Sequence, residues 1–383
     1  MGLFIKKPLA DLMTEANDSG SKSLKRILGP WSLIALGVGV IIGAGLFSIT
    51  GAVAAGYTGP AITLSFAIAA LGCCFAGLCY AEFASMIPVA GSAYTYSYAT
   101  MGELVAWIIG WDLVLEYCVA ATTVSISWSR YLVVFLEGFG VHLPQALTAC
   151  PWDGGIVNIP AFVIVVLMSI LLIRGTEGSS IFNGIIVFLK VSVVLVFVVL
   201  GWKYIRMENY TPYIPANTGT LGEFGFSGIL RGAAIVFFAF LGFDAVSTAA
   251  QETKNPKRNM PIGILMSLVV CTILYMLFAH VMTGVVHYSA FAGQNGIAPV
   301  AIAIDHMGQM DASGVIRPDY PWMNRAIVIA ILLGYCSVIM VTLLGQSRVF
   351  LSMSRDGLLP PLFSHIRSEE RRVGKECRSR WSP

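Results

Sequence analysis

Glycine residues interrupt two long apolar stretches of this sequence, at points where a membrane-spanning helix would cross the middle of the bilayer. The first stretch, Leu36–Phe47, contains Gly43-Ala44-Gly45, and the second, Phe237–Asp244, contains Gly242. Backbone groups inside a bilayer must be paired unless they line a cavity or meet a ligand. Each interruption therefore predicts a helix that unwinds beside a binding cavity.

The composition indicates a membrane protein. Hydrophobic residues make up 56% of the 383 residues and charged residues only 12%, against about 25% charged residues in soluble domains. Runs long enough to cross a bilayer of about 30 Å predict eight spans, named TM1 to TM8 in chain order, at residues 31–55, 61–87, 104–135, 157–173, 180–201, 228–250, 261–285 and 322–352. The sequence thus predicts an all-α polytopic protein embedded in a lipid bilayer.

The two interrupted spans, TM1 and TM6, are five spans apart. Because five is odd, residues 31–201 and 228–366 would form two units of opposite orientation, a complete five-helix repeat and a partial second one. Broken helices at matching places in two inverted halves indicate the binding site of a transporter. The second unit reaches only TM8, so we expect an inverted-repeat fold truncated after about eight transmembrane helices.

Both ends of the chain differ from the spans. Residues 1–30 carry five Lys or Arg and an apolar pattern at helical spacing, which predicts a cytoplasmic segment with an amphipathic helix on the membrane surface. The predicted location is the cell membrane (inner or plasma), with the N-terminus in the cytoplasm.

Residues 367–383 account for the net charge of +3, and their sequence resembles a translated sequencing adapter. We interpret them as an artefact of the gene end.

The two interruptions supply most of the candidate site residues. An unwound segment at Gly43, Ala44 and Gly45, beside Val40, would offer free N–H groups to a substrate carboxylate. Close packing through small residues is the alternative reading of these glycines. In the second interruption, freed carbonyls could accept hydrogen bonds from an ammonium while aromatic rings close over the ligand, through residues Phe238, Ala239, Phe240 and Leu241. Here the alternative is an aromatic packing stripe.

Ionisable residues inside the spans are the other candidates. Lys190 lies near the middle of TM5, where a lysine costs roughly 2.5–3.5 kcal/mol on insertion scales. Burial disfavours the charged form of an amine, which favours proton exchange near neutral pH, although snorkelling to an interface is an alternative. Glu116 in TM3 is the acidic residue that lies deepest within a predicted span. It could face the binding site or pair with a neighbouring helix, and the sequence favours neither role over the other. Weaker pocket candidates are Asp244, Ser337 and Met340.

Motifs for other functions do not occur in the sequence. The glycines Gly37, Gly39 and Gly43 lie inside a predicted membrane span, whereas a dinucleotide fingerprint requires a strand–turn–helix context. The HExxH, GxxxxGK[ST], GxSxG and CxxC patterns are absent, and the cysteines show no metal-ligand spacing. We therefore expect no enzyme activity, no cofactor, no metal and no nucleic-acid partner.

Four groups of residues carry a family resemblance. They are Gly29–Gly37 leading into Ile42–Phe47, Tyr80–Ser85 with Gly91–Tyr94, Glu252–Pro256 with Pro261–Ile264, and Gly345–Arg348 with Met353–Pro360. Together they resemble the cationic amino-acid transporter branch of the amino acid–polyamine–organocation superfamily. The resemblance covers about residues 1–366.

This resemblance implies a LeuT-like inverted-repeat fold with alternating access and twelve or more spans in the complete family pattern. It implies that Gly43-Ala44-Gly45 binds the substrate carboxylate and that the carbonyls around Phe238 bind the amine. Lys190 matches a lysine of proton-coupled relatives that occupies the place of sodium in sodium-coupled ones, and Glu116 matches an acid that lines the pocket.

The predicted function is secondary active import of amino acids, by symport with protons. A proton-independent exchanger or facilitator for cationic amino acids is the alternative within the same class. A sensor that binds amino acids without transporting them is the alternative from another class, and it would need a sizeable output domain.

Overall fold

The computed structural model describes residues 4–8, 10, 12, 28–89, 91–173, 177–292, 298–310, 316–319 and 321–364. Helices occupy each of the eight predicted spans within these residues. The predicted adapter-derived tail, residues 367–383, lies outside the described residues, as does most of the predicted N-terminal amphipathic helix. Of that segment, residues 5–8 have no helical structure, whereas Ala10 and Leu12 are helical.

TM1 consists of two helical halves. The first half, TM1a, is the helix Pro30–Ile41, and the chain becomes extended at Ile42. The second half, TM1b, spans residues 45–58 and alternates between π-helical and α-helical turns. At Gly59 the backbone adopts a positive φ of +59°, a conformation that favours glycine. TM1b therefore ends there, and TM2 follows as Ile62–Met86.

TM6 is also divided. Its first part, TM6a, is the helix Gly225–Val236 continued by a 3₁₀ turn at Phe237–Phe240. Leu241 is extended and Gly242 has φ +101°, after which the second part, TM6b, is a 3₁₀ helix, Asp244–Glu252. Both glycine-interrupted stretches are thus unwound where the sequence predicts.

The remaining helices are continuous. A short helix, Ser92–Thr100, follows TM2, and a short helix, Pro299–Asp305, and an antiparallel pair of strands, β1 (Gly308–Met310) and β2 (Ile316–Pro318), separate TM7 from TM8. The bounds of the other spans are Glu103–Glu137 for TM3, Ile159–Ile173 for TM4, Glu177–Gly201 for TM5, Pro256–Val285 for TM7 and Pro321–Arg355 for TM8.

Length and apolar composition support membrane insertion. Six helical stretches of the described residues are long and apolar enough to cross a membrane, and one of them joins TM1b to TM2. TM1a and TM4 are shorter apolar helices of 12 and 15 residues. Many large apolar side chains on the outer faces, such as Phe75, Phe162 and Phe188, are exposed, as expected for surfaces that face lipid.

The broken spans lie at the centre of the helix packing. TM7 packs against both TM2 and TM1a, TM3 packs against TM8, and TM5 contacts both TM1a and TM8. The first turn of TM1b meets the 3₁₀ turn of TM6a, where a Cβ added at Gly45 would overlap the Ala239 backbone. The two unwound segments are therefore in direct contact.

Close packing between TM1a and TM7 gives a testable prediction. A Cβ at Gly37 would lie 2.6 Å from Ser267 Cβ, so Gly37→Ala requires the helices to separate, at a cost of about 1–3 kcal/mol. We expect a lower melting temperature for the purified variant. Gly56→Ala is the matched control because nothing lies within 4 Å of its added Cβ. Equal melting temperatures for the two variants would contradict the packing.

Candidate functional site

A cavity opens between the two unwound segments. It contains about 390 Å³ of atom-free space, including the part open to solvent, and is lined by Val40, Ile41, Gly43, Ala44, Gly45, Glu116, Tyr117, Ala120, Val124, Phe238, Leu241, Gly242, Val338 and Thr342. TM1, TM3, TM6 and TM8 therefore each contribute to the wall. Most of these side chains are apolar, and among the described residues that line the wall Glu116 is the one with a carboxyl group.

The break in TM1 leaves three backbone N–H groups beside the cavity. Hydrogen bonding in TM1a ends with the Ile42 N–H donating to the Val38 carbonyl, and it resumes when the N–H groups of Leu46 and Phe47 donate to the Gly43 carbonyl. Gly43, Ala44 and Gly45 lie between these two sets of bonds, with Ala44 as the N-cap of the first turn of TM1b. The first N–H groups of a helix lack intrahelical partners and favour an anion, so this end of the cavity suits a carboxylate.

The break in TM6 presents only one face of its 3₁₀ turn to the cavity. Phe238 and Leu241 line the wall because residues three apart share a face in a 3₁₀ helix. Two other predicted residues point away from it. Ala239 packs against Gly45, and the fully buried Phe240 contacts the rings of Phe66 and Tyr275. That Ala239 and Phe240 take part in substrate binding stays a prediction, although neither residue is among those that line the cavity.

The weaker pocket candidates lie behind the wall. Asp244 is buried and accepts a hydrogen bond of 2.7 Å from the hydroxyl of Tyr117, which does line the cavity. Ser337 and Met340 are buried in TM8 but are absent from the lining. Val338 and Thr342, one helical turn apart, occupy the cavity face instead, because each helical residue is rotated by about 100° from the previous one.

Lys190 lies outside the cavity, against the back of the TM1 break. Its side chain is 1% exposed. The ammonium nitrogen donates to the Gly39 carbonyl at 2.5 Å and to the Ile42 carbonyl at 3.1 Å, and no carboxylate within ion-pair distance is recorded among the described residues. On the other side, its aliphatic chain packs so closely on TM8 that a Cβ at Gly334 would lie 2.7 Å from Lys190 Cδ.

These contacts tie TM5, TM1 and TM8 together. The Gly39 and Ile42 carbonyls belong to the end of TM1a, where carbonyls lose their helical donors and the helix dipole favours a cation. Lys190 thus replaces the missing donors. The described contact with TM8 is packing of the aliphatic chain.

Several wall residues have no sequence signal of their own. Ala120, Val124, Val338 and Thr342 belong to ordinary membrane helices, and only their spacing of four residues marks a shared face. From the sequence, Tyr117 could be identified as a wall residue only because it is next to Glu116. Tyr275, which contacts both breaks, lies in TM7 without any local motif.

Comparison with known proteins agrees with this architecture. A family model described as amino acid permease matches residues 28–373. Among curated proteins, the chain is 47% identical over 368 residues to a branched-chain amino acid permease of Bacillus subtilis, covering 95% of this chain and 74% of that one. It is 43% identical to the methylthioribose transporter of Bacillus subtilis, with the same coverage of both chains.

A plant relative and a solved structure extend the comparison. Cationic amino acid transporter 4 of Arabidopsis thaliana is 34% identical over 96% of this chain and 58% of its own length. A solved Na⁺-coupled sialic acid symporter in a substrate-bound, outward-open state has a TM-score of 0.55 at 14% identity, covering 92% of this chain and 72% of that chain. That likeness shows the LeuT-like fold.

The cavity between two broken helices, the multi-pass helical architecture and the match over most of the chain agree with one another. The chain belongs to the amino acid permease family of the amino acid–polyamine–organocation superfamily.

Proposed function

We propose that this protein imports amino acids across the cell membrane by alternating access, coupled to the symport of protons. The observation that carries the proposal is the Lys190 ammonium bonded to two backbone carbonyls at the TM1 break. Membership of a permease family supports transport rather than catalysis. The five Lys and Arg residues among residues 1–30 support a cytoplasmic N-terminus.

The cavity offers complementary groups to the two ends of an amino acid. The N–H groups of Gly43, Ala44 and Gly45 suit the carboxylate. Carbonyls on the wall suit the ammonium of the substrate, which has three N–H donors. The Phe238 carbonyl already accepts a hydrogen bond from the Leu241 N–H at 3.2 Å. Its second lone pair can accept another one from the substrate. The apolar side chains of Val124 and Val338 suit an aliphatic substrate side chain.

Protonation of Lys190 would set the shape of the TM1 break. The charged ammonium holds the Gly39 and Ile42 carbonyls, and it interacts electrostatically with the thiols of Cys271 in TM7 and Cys336 in TM8. Loss of the proton on the cytoplasmic side removes the charge and weakens both bonds, because charged hydrogen bonds are the stronger class. TM1a can then move away from TM5 and release the substrate.

Glu116 supports a second candidate, an exchanger or facilitator for cationic amino acids that does not need protons. Its carboxyl group is on the cavity wall, where it could pair with a cationic side chain. The names of the relatives include both branched-chain and cationic amino acids. A sensor without transport has no such supporting observation.

Gly43→Leu tests the binding cavity. A Cβ at Gly43 would lie 3.2 Å from Val338 Cγ2, and both residues line the cavity, so a leucine side chain must occupy part of the space that we assign to the substrate. We expect no measurable binding in titrations of the purified variant with a panel of amino acids. Gly56→Leu, in open space, should bind like the unsubstituted protein. Unchanged affinity in Gly43→Leu would count against this site.

Lys190→Met tests proton coupling. Methionine keeps much of the apolar volume but cannot carry the charge that holds the TM1 break. In proteoliposomes with an imposed proton gradient, we expect the variant to insert normally and to lose accumulation of labelled amino acid above equilibrium. Accumulation that remains proton-driven in this variant would refute the role of Lys190.

Glu116→Gln tests the choice between neutral and cationic substrates. If Glu116 pairs with a cationic side chain, its neutral amide should weaken lysine or arginine binding at least about tenfold, since hydrogen bonds to charged groups contribute about 1.5–3 kcal/mol. Leucine binding should change little. The measurement is the ratio of the two dissociation constants, and an unchanged ratio would remove the support for cationic transport.

A further inference from the structure

Three hydroxyl groups are buried where TM6b meets the short helix Ser92–Thr100, named here the TM2–TM3 helix. This helix packs against TM3 and contacts TM6b. Ser92 and Tyr96 belong to it, Ser247 belongs to TM6b, and each of the three residues is at most 5% exposed. None of the three hydroxyls has a hydrogen-bond partner among the described residues. Buried polar groups that lack a protein partner require water.

The hydroxyls lie on two facing surfaces. Ser92 and Tyr96 are four residues apart and share one face of the TM2–TM3 helix, whereas Asp244 and Ser247 are three apart and share one face of the 3₁₀ helix TM6b. Tyr96 interacts electrostatically with Asp244, and its hydroxyl lies beside that of Ser247 but outside hydrogen-bonding geometry. The Phe83 ring, stacked on Tyr96 at 5.2 Å, holds the phenol in this position. The two surfaces therefore meet without pairing their hydroxyls.

This interface lies next to the cavity wall. Asp244 accepts a hydrogen bond from Tyr117, and Tyr117 lines the cavity. The connection between TM2 and TM3 is on the predicted cytoplasmic side, the same side as the N-terminus. A separation of TM6b from the TM2–TM3 helix would therefore join the cavity to the cytoplasm.

Backbone pairing makes TM6b follow TM1a. The Leu28 N–H donates to the Glu252 carbonyl at 3.0 Å, and the Lys254 N–H donates to the Leu28 carbonyl at 2.9 Å. Leu28 lies just before TM1a, and Glu252 is the last residue of TM6b. A movement of TM1a away from TM5 thus carries TM6b with it, while the TM2–TM3 helix stays packed on TM3.

The TM2–TM3 helix also begins with a strained residue. Ser92 has a φ of +50°, which side chains other than that of glycine disfavour. Such strain persists only where the surroundings impose it, and it is common at switch regions. Contact with TM6b is one of those surroundings, so separation of the two elements lets Ser92 relax.

We propose that the substrate leaves for the cytoplasm between TM6b and the TM2–TM3 helix, through an interface that opens when water binds the hydroxyls of Ser92, Tyr96 and Ser247. This inference rests on the proposed function, since it assumes release on the cytoplasmic side. Unpaired buried hydroxyls raise the free energy of the closed interface. Hydration removes that cost on opening, so each of these hydroxyls shifts the equilibrium toward the open state.

Thiol labelling tests the opening. Ser247→Cys places a thiol of nearly the same size at the interface. In inside-out membrane vesicles treated with a membrane-impermeant maleimide, peptide mass spectrometry measures the labelling rate at each cysteine separately. Ser129→Cys is the matched control, because Ser129 is equally buried and unpaired but lies in the half of TM3 predicted to face outside. We expect position 247 to label at least about tenfold faster than position 129.

Tyr96→Phe tests the role of hydration. It removes one unpaired hydroxyl and keeps the ring, so the closed interface becomes more stable. We expect a higher melting temperature and, in the Ser247→Cys background, labelling at position 247 about fivefold slower, the equivalent of one unpaired group. A hydroxyl that only fastened the two elements would give the opposite result, a lower melting temperature and faster labelling.

Tyr131 provides the control for loss of a tyrosine hydroxyl. Its buried hydroxyl donates to the Phe47 carbonyl in TM1b. Because that hydroxyl is paired, Tyr131→Phe should lower the melting temperature and leave the labelling rate at position 247 within about twofold.

Equal labelling at positions 247 and 129, or labelling at 247 from the outer side alone, would overturn the proposed release path. A lower melting temperature for Tyr96→Phe, or an unchanged labelling rate in that variant, would overturn the role of hydration. If Ser247→Cys does not insert, Ser92→Cys on the facing surface takes its place with the same expected rate. Absence of amino-acid transport by the unsubstituted protein would instead refute the proposed function.

Discussion

The hydrogen bonds from the Lys190 ammonium to the Gly39 and Ile42 carbonyls are the interaction on which the site depends. A helix that ends inside a bilayer leaves carbonyls without donors, and no solvent replaces them there. Lys190 supplies donors to two of these carbonyls, and Tyr275 contacts a third, that of Ile41. The back of the break is thereby paired within the protein, while residues 43–45 line the cavity on the other side.

Other contacts hold the facing elements around this break. Gly45 allows TM1b to lie directly on the Ala239 backbone, and the Tyr117 hydroxyl joins TM3 to Asp244 of TM6b. On the predicted cytoplasmic side, the ion pair between Arg348 and Glu252, at 2.7 Å, connects TM8 to TM6b. The four elements that form the cavity wall are thus linked to one another by polar contacts as well as by packing.

Sequence reasoning located the breaks because glycine inside an apolar span is costly and therefore informative, and it located Lys190 because an isolated charge there is rarer still. It could not resolve which residues of the TM6 break face the cavity. That depends on the 3₁₀ geometry, which places Phe238 and Leu241 on one side and turns Ala239 and Phe240 away. The sequence also could not show that Val124 and Val338 line the cavity. An apolar residue that lines a cavity has the same local sequence pattern as one that packs in the core.

The most direct test of the account is the reversal of transport by the unsubstituted protein in proteoliposomes with known gradients of protons and of one amino acid. If Lys190 couples a proton to each transport cycle, net amino-acid flux should stop when the proton gradient balances the substrate gradient, and it should reverse beyond that point. A flux that follows the substrate gradient alone, at every imposed proton gradient, would contradict the central role given to Lys190.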